Sequence, residues 1–277
     1  MPPVKQNVSG LKEKTLSRTR KSSVADVIGL FSAALLVGID LLRHANGPAA
    51  QKRRMLLALA ITTAFAVVAW LARGVNGGGA LAGSSIAFVL ASHDLRMFWT
   101  LLLVFAVTLL ATRAGRSRKE QLHTAEAYHG RSAAQVMANL GVAALIVSLG
   151  PQTWPLLALA ALAEAAADTS SSEIGMAFPG RTLLLTTWKP VKPGVDGGVS
   201  MKGTLAAVLA ASAIAAAAAL MELVPIRHAG LIVLAGVSGS LVDSLFGALM
   251  ERRGLLSNDM VNLLSTAAAA GLACILA

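Results

Sequence analysis

The hydrophobic pattern of this chain is one of long blocks, not of alternation. Apolar runs cover residues 24–42, 55–72, 97–112, about 133–150, 154–169, 203–223, 229–250 and 256–276. A shorter run over 74–92 starts among glycines. Several runs reach the roughly 18 residues that a helix needs to cross a hydrocarbon core. Polar, mostly basic stretches separate them at 1–23, 43–54, 113–131, 170–202 and 251–254. Alternating strand patterns are absent, which argues against a β-barrel. The pattern predicts an all-α, polytopic helical membrane protein with eight or nine apolar segments. Residues 1–23 are expected to form a flexible basic tail, and 24–277 a single helical transmembrane domain.

Composition agrees: 55% of the 277 residues are hydrophobic and 14% charged, against about 25% charged in soluble domains. The net charge of +10 would suggest nucleic acid in a soluble protein. Here the basic residues cluster in loops, as beside anionic lipid on the cytoplasmic side, so the bilayer is the expected partner and nucleic acid is not. The single cysteine, Cys274, excludes a disulfide within the chain. No small-residue cleavage site follows the first apolar run, so a removed signal peptide is not expected. The loops 113–131, 170–202 and 251–254 are separated by pairs of spans, which puts them on one side, the cytoplasmic one. The tail and the 43–54 loop are both basic yet flank one run. Either 24–42 lies in the interface or 74–92 does not fully cross.

Three polar elements carry candidate chemistry. Acids within spans are costly and mark function by default. Glu164, Asp168 and Ser172 recur at four and share a helix face. Glu173 is off that face in a regular helix, so sharing one metal with Asp168 requires the helix to end or distort near Ser170–Ser172. In GVSGSLVDSLFGALMERR, the residues Gly236, Gly239, Ser240, Asp243 and Gly247 form a narrow small-residue face with one carboxylate in it. Close helix packing is one reading of that face. The other is that Asp243 meets Asp168 and completes a cation site. Magnesium suits it, taking few oxygen ligands from protein and the rest from water or phosphate.

The loop 176–202 is long and lacks periodicity, as functional or disordered loops do. Within it, TTWKPVKPGVDGGVS offers backbone N–H groups at Gly197 and Gly198 and ammonium groups at Lys189 and Lys192. Those are phosphate-binding parts, though a basic cytoplasmic loop would look similar. The third element holds Lys119 in TRAGRSRKE, then Arg131, Gln135 and Asn139 spaced by four on one face. Helix–helix hydrogen bonding and contact with a phosphate both fit that face.

The strings DTSSSEIG, TTWKPVKPGVDGGVSMKG and GSLVDSLFGA, with GRSAAQVMAN and GGGALAGSSIAFVL before them, resemble an integral membrane family that includes plant phytyl-phosphate kinase. The resemblance covers about residues 54–277 and rests on several motifs in the right order. Asp196 stands where relatives often carry another polar residue. The resemblance implies a magnesium-dependent phosphotransferase that moves a phosphoryl group from a nucleoside triphosphate, CTP being the expected donor, to a prenyl monophosphate. Plant members act on phytyl phosphate in tocopherol synthesis. Combined with the residues above, it assigns Asp168, Glu173 and Asp243 to the magnesium site. Lys189, Lys192 and Arg131, with Lys119 and Asn139, become phosphate contacts, and Gly197, Gly198 and Ser200 backbone and hydroxyl donors. Expected partners are the nucleotide, the prenyl phosphate and the bilayer, with a homo-oligomer left open. Alternatives are a polyprenol kinase, a lipid cytidylyltransferase and an ion-coupled transporter.

Overall fold

The computed structural model describes residues 8–44, 48–122, 130–150, 154–178 and 180–277. Side chains are described from Val24 onward, apart from those of His44 and Ala50. The long apolar blocks become helices α1 (Val8–His44), α2 (Ala49–Leu71), α3 (Gly77–His93), α4 (Leu95–Arg113), α6 (Ala133–Leu149), α7 (Trp154–Ala177), α8 (Met201–Leu220), α9 (Ala229–Leu249) and α10 (Asn258–Leu276). A short helix, α5 (Arg116–Gln121), interrupts the polar stretch after α4. Residues 1–7 of the expected tail lie outside the described residues, and α1 begins at Val8.

Contacts at the helix ends fix the directions. At the start of α6, Ala134 N donates to Asp26 Oδ1 of α1 at 3.2 Å. At the end of α3, Ser92 Oγ donates to Asp40 Oδ2 of α1 at 2.8 Å. Near the start of α2, Arg54 Nη1 donates to His93 O at 3.4 Å. Arg96 Nη1, at the start of α4, reaches Met221 O beyond the end of α8 at 2.9 Å. Successive long helices therefore alternate in direction. The ends of α2, α4, α7 and α9 meet the starts of α3, α6, α8 and α10 at one end of the bundle. The basic loops 113–131, 170–202 and 251–254 share that end, as their spacing required. The apolar part of α1 and all of α3 both run along the bundle, and the basic residues that begin α2 sit at the opposite end.

Among the described residues, six stretches are long and apolar enough to cross a membrane: Val24–Arg43, Gln51–Leu71, Leu95–Arg113, Met201–Leu220, Ile226–Arg253 and Asn258–Leu276, with Ala133–Leu149 a shorter apolar helix. The expected eight or nine segments overcount spans by this measure. At 17 residues, α3 and α6 extend only about 25 Å, short of the roughly 30 Å hydrocarbon core. Helix α7 has the length but carries Glu164, Asp168 and Glu173, which lower its hydropathy, and protein encloses it. It packs against α4, α6, α8, α9 and α10, and every residue from Leu156 to Ala167 is buried. Alanines and glycines permit that density: a Cβ added at Gly236 of α9 would lie 3.0 Å from the Ala163 backbone.

The loop expected to be irregular instead holds a small antiparallel sheet of order β2-β1-β3, with β1 Thr182–Leu184, β2 Pro190–Val191 and β3 Gly198–Ser200. Leu183 pairs with Pro190 on one side and Val199 on the other. Strands of two or three residues are too short to show alternation in sequence, which is why the pattern missed them.

Candidate functional site

Helix α7 stays regular through Ser170–Ser172, so the distortion that a shared Asp168–Glu173 metal requires does not occur. Glu173 projects about 140° around the axis from Asp168. Its Oε2 instead takes Lys119 Nζ at 2.6 Å, in a pair where Lys119 is 1% exposed. Lys119 also donates to the carbonyls of Ala111 and Thr112 at the end of α4. This pair ties α5 and α4 to α7. It explains why a lysine is buried at all, since an unpaired buried ammonium would be very costly.

Asp168 lies near Asp243 of α9, the approach that one reading of the small-residue face expects, and Glu164 joins them. The three carboxylates lie close enough to act on one another electrostatically. The Ser240 hydroxyl faces Asp168. Ser265 Oγ of α10 donates to Asp243 Oδ2 at 3.4 Å. Gly239 makes the approach possible: a Cβ there would stand 2.5 Å from Glu164 Cγ and 3.0 Å from Ser265 O. Tight packing of that face is also what brings the acids together. Asp196 and Glu251 act on Asp243 from its other side.

The glycine loop closes over this centre. Gly197 has φ +77°, and a Cβ there would stand 2.4 Å from Ala248 Cβ. Only glycine satisfies both constraints. A Cβ at Gly247 would stand 2.9 Å from Gly197 N, so the loop rests on the end of α9. Ser200 Oγ accepts Gly203 N at 3.1 Å and caps α8. Under the loop lies a polar cavity of about 220 Å³, lined among others by Ser171, Ser172, Asp196, Gly197, Asp243 and Glu251. Gly198 and Ser200 also line it, but Lys189 and Lys192 do not. Both lysines are exposed on the β1–β2 side, Lys189 next to Trp188, whose φ is +55°.

A second cavity of about 370 Å³ opens at the same end, between α2, α3, α4 and α6. Its walls are mostly apolar, including Phe65, Ala69, Val104 and Phe105. Arg73, Arg113, Arg116 and Arg131 also line it, and among the described residues no acid does. Arg131 joins the two regions: it lines this cavity, its Nη2 donates to Thr169 Oγ1 of α7 at 3.3 Å, and its charge acts on Asp168. Asn139 lines the same cavity, with Nδ2 donating to Gln135 O at 2.9 Å. Gln135 itself is taken up in the capping box of α6 with Ser132.

The donor set around Asp168 and Asp243 is all oxygen, which suits magnesium. Glu164 Oε1 is buried without a hydrogen-bond partner, an arrangement a cation or its water would relieve. Among the described residues, no three His, Cys, Asp or Glu side chains form a group that could hold a metal ion alone. An ion here would need oxygens from water or a bound phosphate. Sequence reasoning missed Arg73, Arg113 and Arg116 as cavity residues, because a basic flank beside a span reads as topology. Glu251 was passed over as part of the ERR turn.

The family model for "Integral membrane protein DUF92" matches residues 60–270. An uncharacterized membrane protein of Methanocaldococcus jannaschii is 32% identical over 221 residues, 77% of this chain and 90% of its own length. Protein PGR of Arabidopsis thaliana is 27% identical over 74% of this chain and 81% of its own. Protein VTE6, chloroplastic, also of Arabidopsis thaliana, is 30% identical over 66% of this chain and 60% of its own. No solved structure matches.

Proposed function

Because the chain belongs to the integral membrane protein DUF92 family, in line with the resemblance that its motifs carry, we propose that it is a prenyl-phosphate kinase using a nucleoside triphosphate, with CTP the expected donor. The observation that carries this reading is the meeting of Asp168 and Asp243, from distant stretches, beneath a glycine loop at the bundle end. The similarity to Protein VTE6 supports it, through the phytyl-phosphate kinase in the family that the motifs resemble.

Phosphoryl transfer is mostly positioning and charge neutralisation. An oxygen of the acceptor monophosphate attacks the donor's terminal phosphorus, and the bond to the bridging oxygen breaks. The products are a prenyl diphosphate and a nucleoside diphosphate. The acceptor is already a nucleophile, so no strong base is needed. Asp168 and Asp243 would hold magnesium, which neutralises donor phosphate charge when bound. The Gly197 and Gly198 loop and Ser200 surround the donor phosphates, and Arg131 stands between donor and acceptor. The cytoplasmic leaflet is the side expected for this end, from its basic loops. Lys189 and Lys192 lie outside both cavities and serve on this reading as surface charge.

The test is purified protein in nanodiscs with magnesium, a set of nucleoside triphosphates and a panel of prenyl phosphates. A prenyl diphosphate with stoichiometric nucleoside diphosphate is the expected product. Release of pyrophosphate would move the reading to a cytidylyltransferase, and phosphorylation of a free prenol to a polyprenol kinase. An ion-coupled transporter is favoured by one observation, the burial of Glu164 deep within α7. Ion-dependent uptake into proteoliposomes, without nucleotide turnover, would establish it.

A further inference from the structure

The acid-lined cavity and the arginine-bearing cavity demand different ligands. We propose that the cavity between α2, α3, α4 and α6 binds a single-chain lipid monophosphate, chain against the apolar wall and phosphate at Arg73, Arg113, Arg116 and Arg131. This rests on the kinase reading for its consequence but not for its geometry. The observation is the segregation of the lining: aliphatic and aromatic along the wall, guanidinium where the cavity reaches the bundle end, and among the described residues no carboxylate in the lining, with Arg116 Nε paired to Glu120 Oε1 at 2.9 Å beside it. Guanidinium groups pair with phosphate through parallel hydrogen bonds. About 370 Å³ falls within the roughly 300–1,000 Å³ range of small-molecule sites.

The wall is built for a slender chain. Ala66, Ala69, Ala80 and Gly83 present little more than backbone. A Cβ at Gly83 would meet only Val136 Cγ1, at 3.9 Å, so the space beside it is open. Phe65 stacks edge-on against Phe98 and Phe105, with ring centroids 5.7 and 5.2 Å apart. Phe105 reaches back to the start of the wall, where a Cβ at Gly74, next to Arg73, would stand 2.8 Å from its ring. The rim is held in place: Arg113 Nη2 donates to Ala72 O at 2.5 Å, and Arg73, two residues past the end of α2, has φ +56°. Ala165 of α7 also lines the cavity, one turn from Asp168. A phosphate at Arg131 therefore sits beside the acids without sharing their cavity. The loop lysines and the alanine-rich α8 and α10 have no part in holding the chain.

The test is photolabelling of the full chain in nanodiscs with a diazirine-bearing C20 alkyl monophosphate, without nucleotide or magnesium. Labels are expected on 65–84 and 101–113. Phytyl monophosphate should compete and two-chain phosphatidic acid should not. Labels on α8 to α10, or equal competition by phosphatidic acid, would overturn the proposal. Gly83→Leu should weaken C20 binding about 10- to 100-fold more than geranyl monophosphate binding, because it fills space that only the longer chain reaches. Arg113→Gln should weaken both by about tenfold or more. Equal losses from Gly83→Leu, with an unchanged melting profile, would also overturn it; if that variant does not fold, Gly83→Ala and the label map decide. Labelling as expected but no diphosphate with any nucleotide would leave the lipid site standing and remove the kinase reading.

Discussion

The cavity beneath Gly197 and the groove between α2 and α4 share one end of the bundle and one wall, α7, yet their chemistry is opposite. The first is lined by Asp196, Asp243, Glu251, serines and glycines, with no lysine or arginine among the described residues. The second has, among the described residues, four arginines, an apolar wall and no acid. Helix α7 turns Ser171 and Ser172 to the first and Ala165 to the second. One helix thus separates a region that attracts cations from one that attracts a lipid anion, and Arg131 with Thr169 is the contact between them. A reaction joining two polyanions needs such a division, since it keeps each anion beside its own counter-charge until they meet.

The largest effect expected from breaking this division comes from its brace. Lys119→Met alone leaves Glu173 charged and buried, and should cost about 3–5 kcal/mol in thermal unfolding. Adding Glu173→Gln should recover much of that loss. A brace that survives the single change untouched would mean the pair does not fix α5 against α7. Next, Asp168→Asn or Asp243→Asn in folded protein should lower turnover about 100- to 1,000-fold in the kinase assay, if their charge acts on the transferring phosphoryl group. Full activity in either variant would remove the acids from the mechanism.

Gly197→Ala tests the lid of the acidic side. Strain at positive φ and the clash with Ala248 should cost about 1–3 kcal/mol, read by denaturant melt, with Gly254→Ala as a milder control. Gly254 shares a positive φ of +71° but has nothing within 4 Å of its Cβ position.

The smallest effect lies at the far end. Burial raises the Asp94 carboxyl, but hydrogen bonds and charge from Arg96 outweigh that and hold it below its ordinary value. A depressed folded pKa means that its stabilisation is present above the unfolded value of about 3.9 and is lost as pH falls through the folded one. The pair is partly exposed, so Asp94→Asn should cost no more than about 1 kcal/mol. That difference should appear at pH 7 and shrink as pH falls below the unfolded value, with both cavities unaffected.

The block lengths alone made this a helical membrane protein, because nothing but a satisfied helix carries such runs through hydrocarbon. They also located the acids and the glycine loop, since polar groups in apolar blocks stand out by cost. The ordered motifs gave the family. Other features depended on packing between distant parts of the chain. Glu173 left the acid group only because α7 stays regular and Lys119 reaches it from 54 residues away. Lys189 and Lys192 fell outside both cavities because a sheet too short to see in sequence turns them outward. The arginine groove exists because α2, α3, α4 and α6 come together, and no local period records which helices do. Sequence encodes the local period and the expense of burying charge; the partner that offsets the charge is chosen in three dimensions.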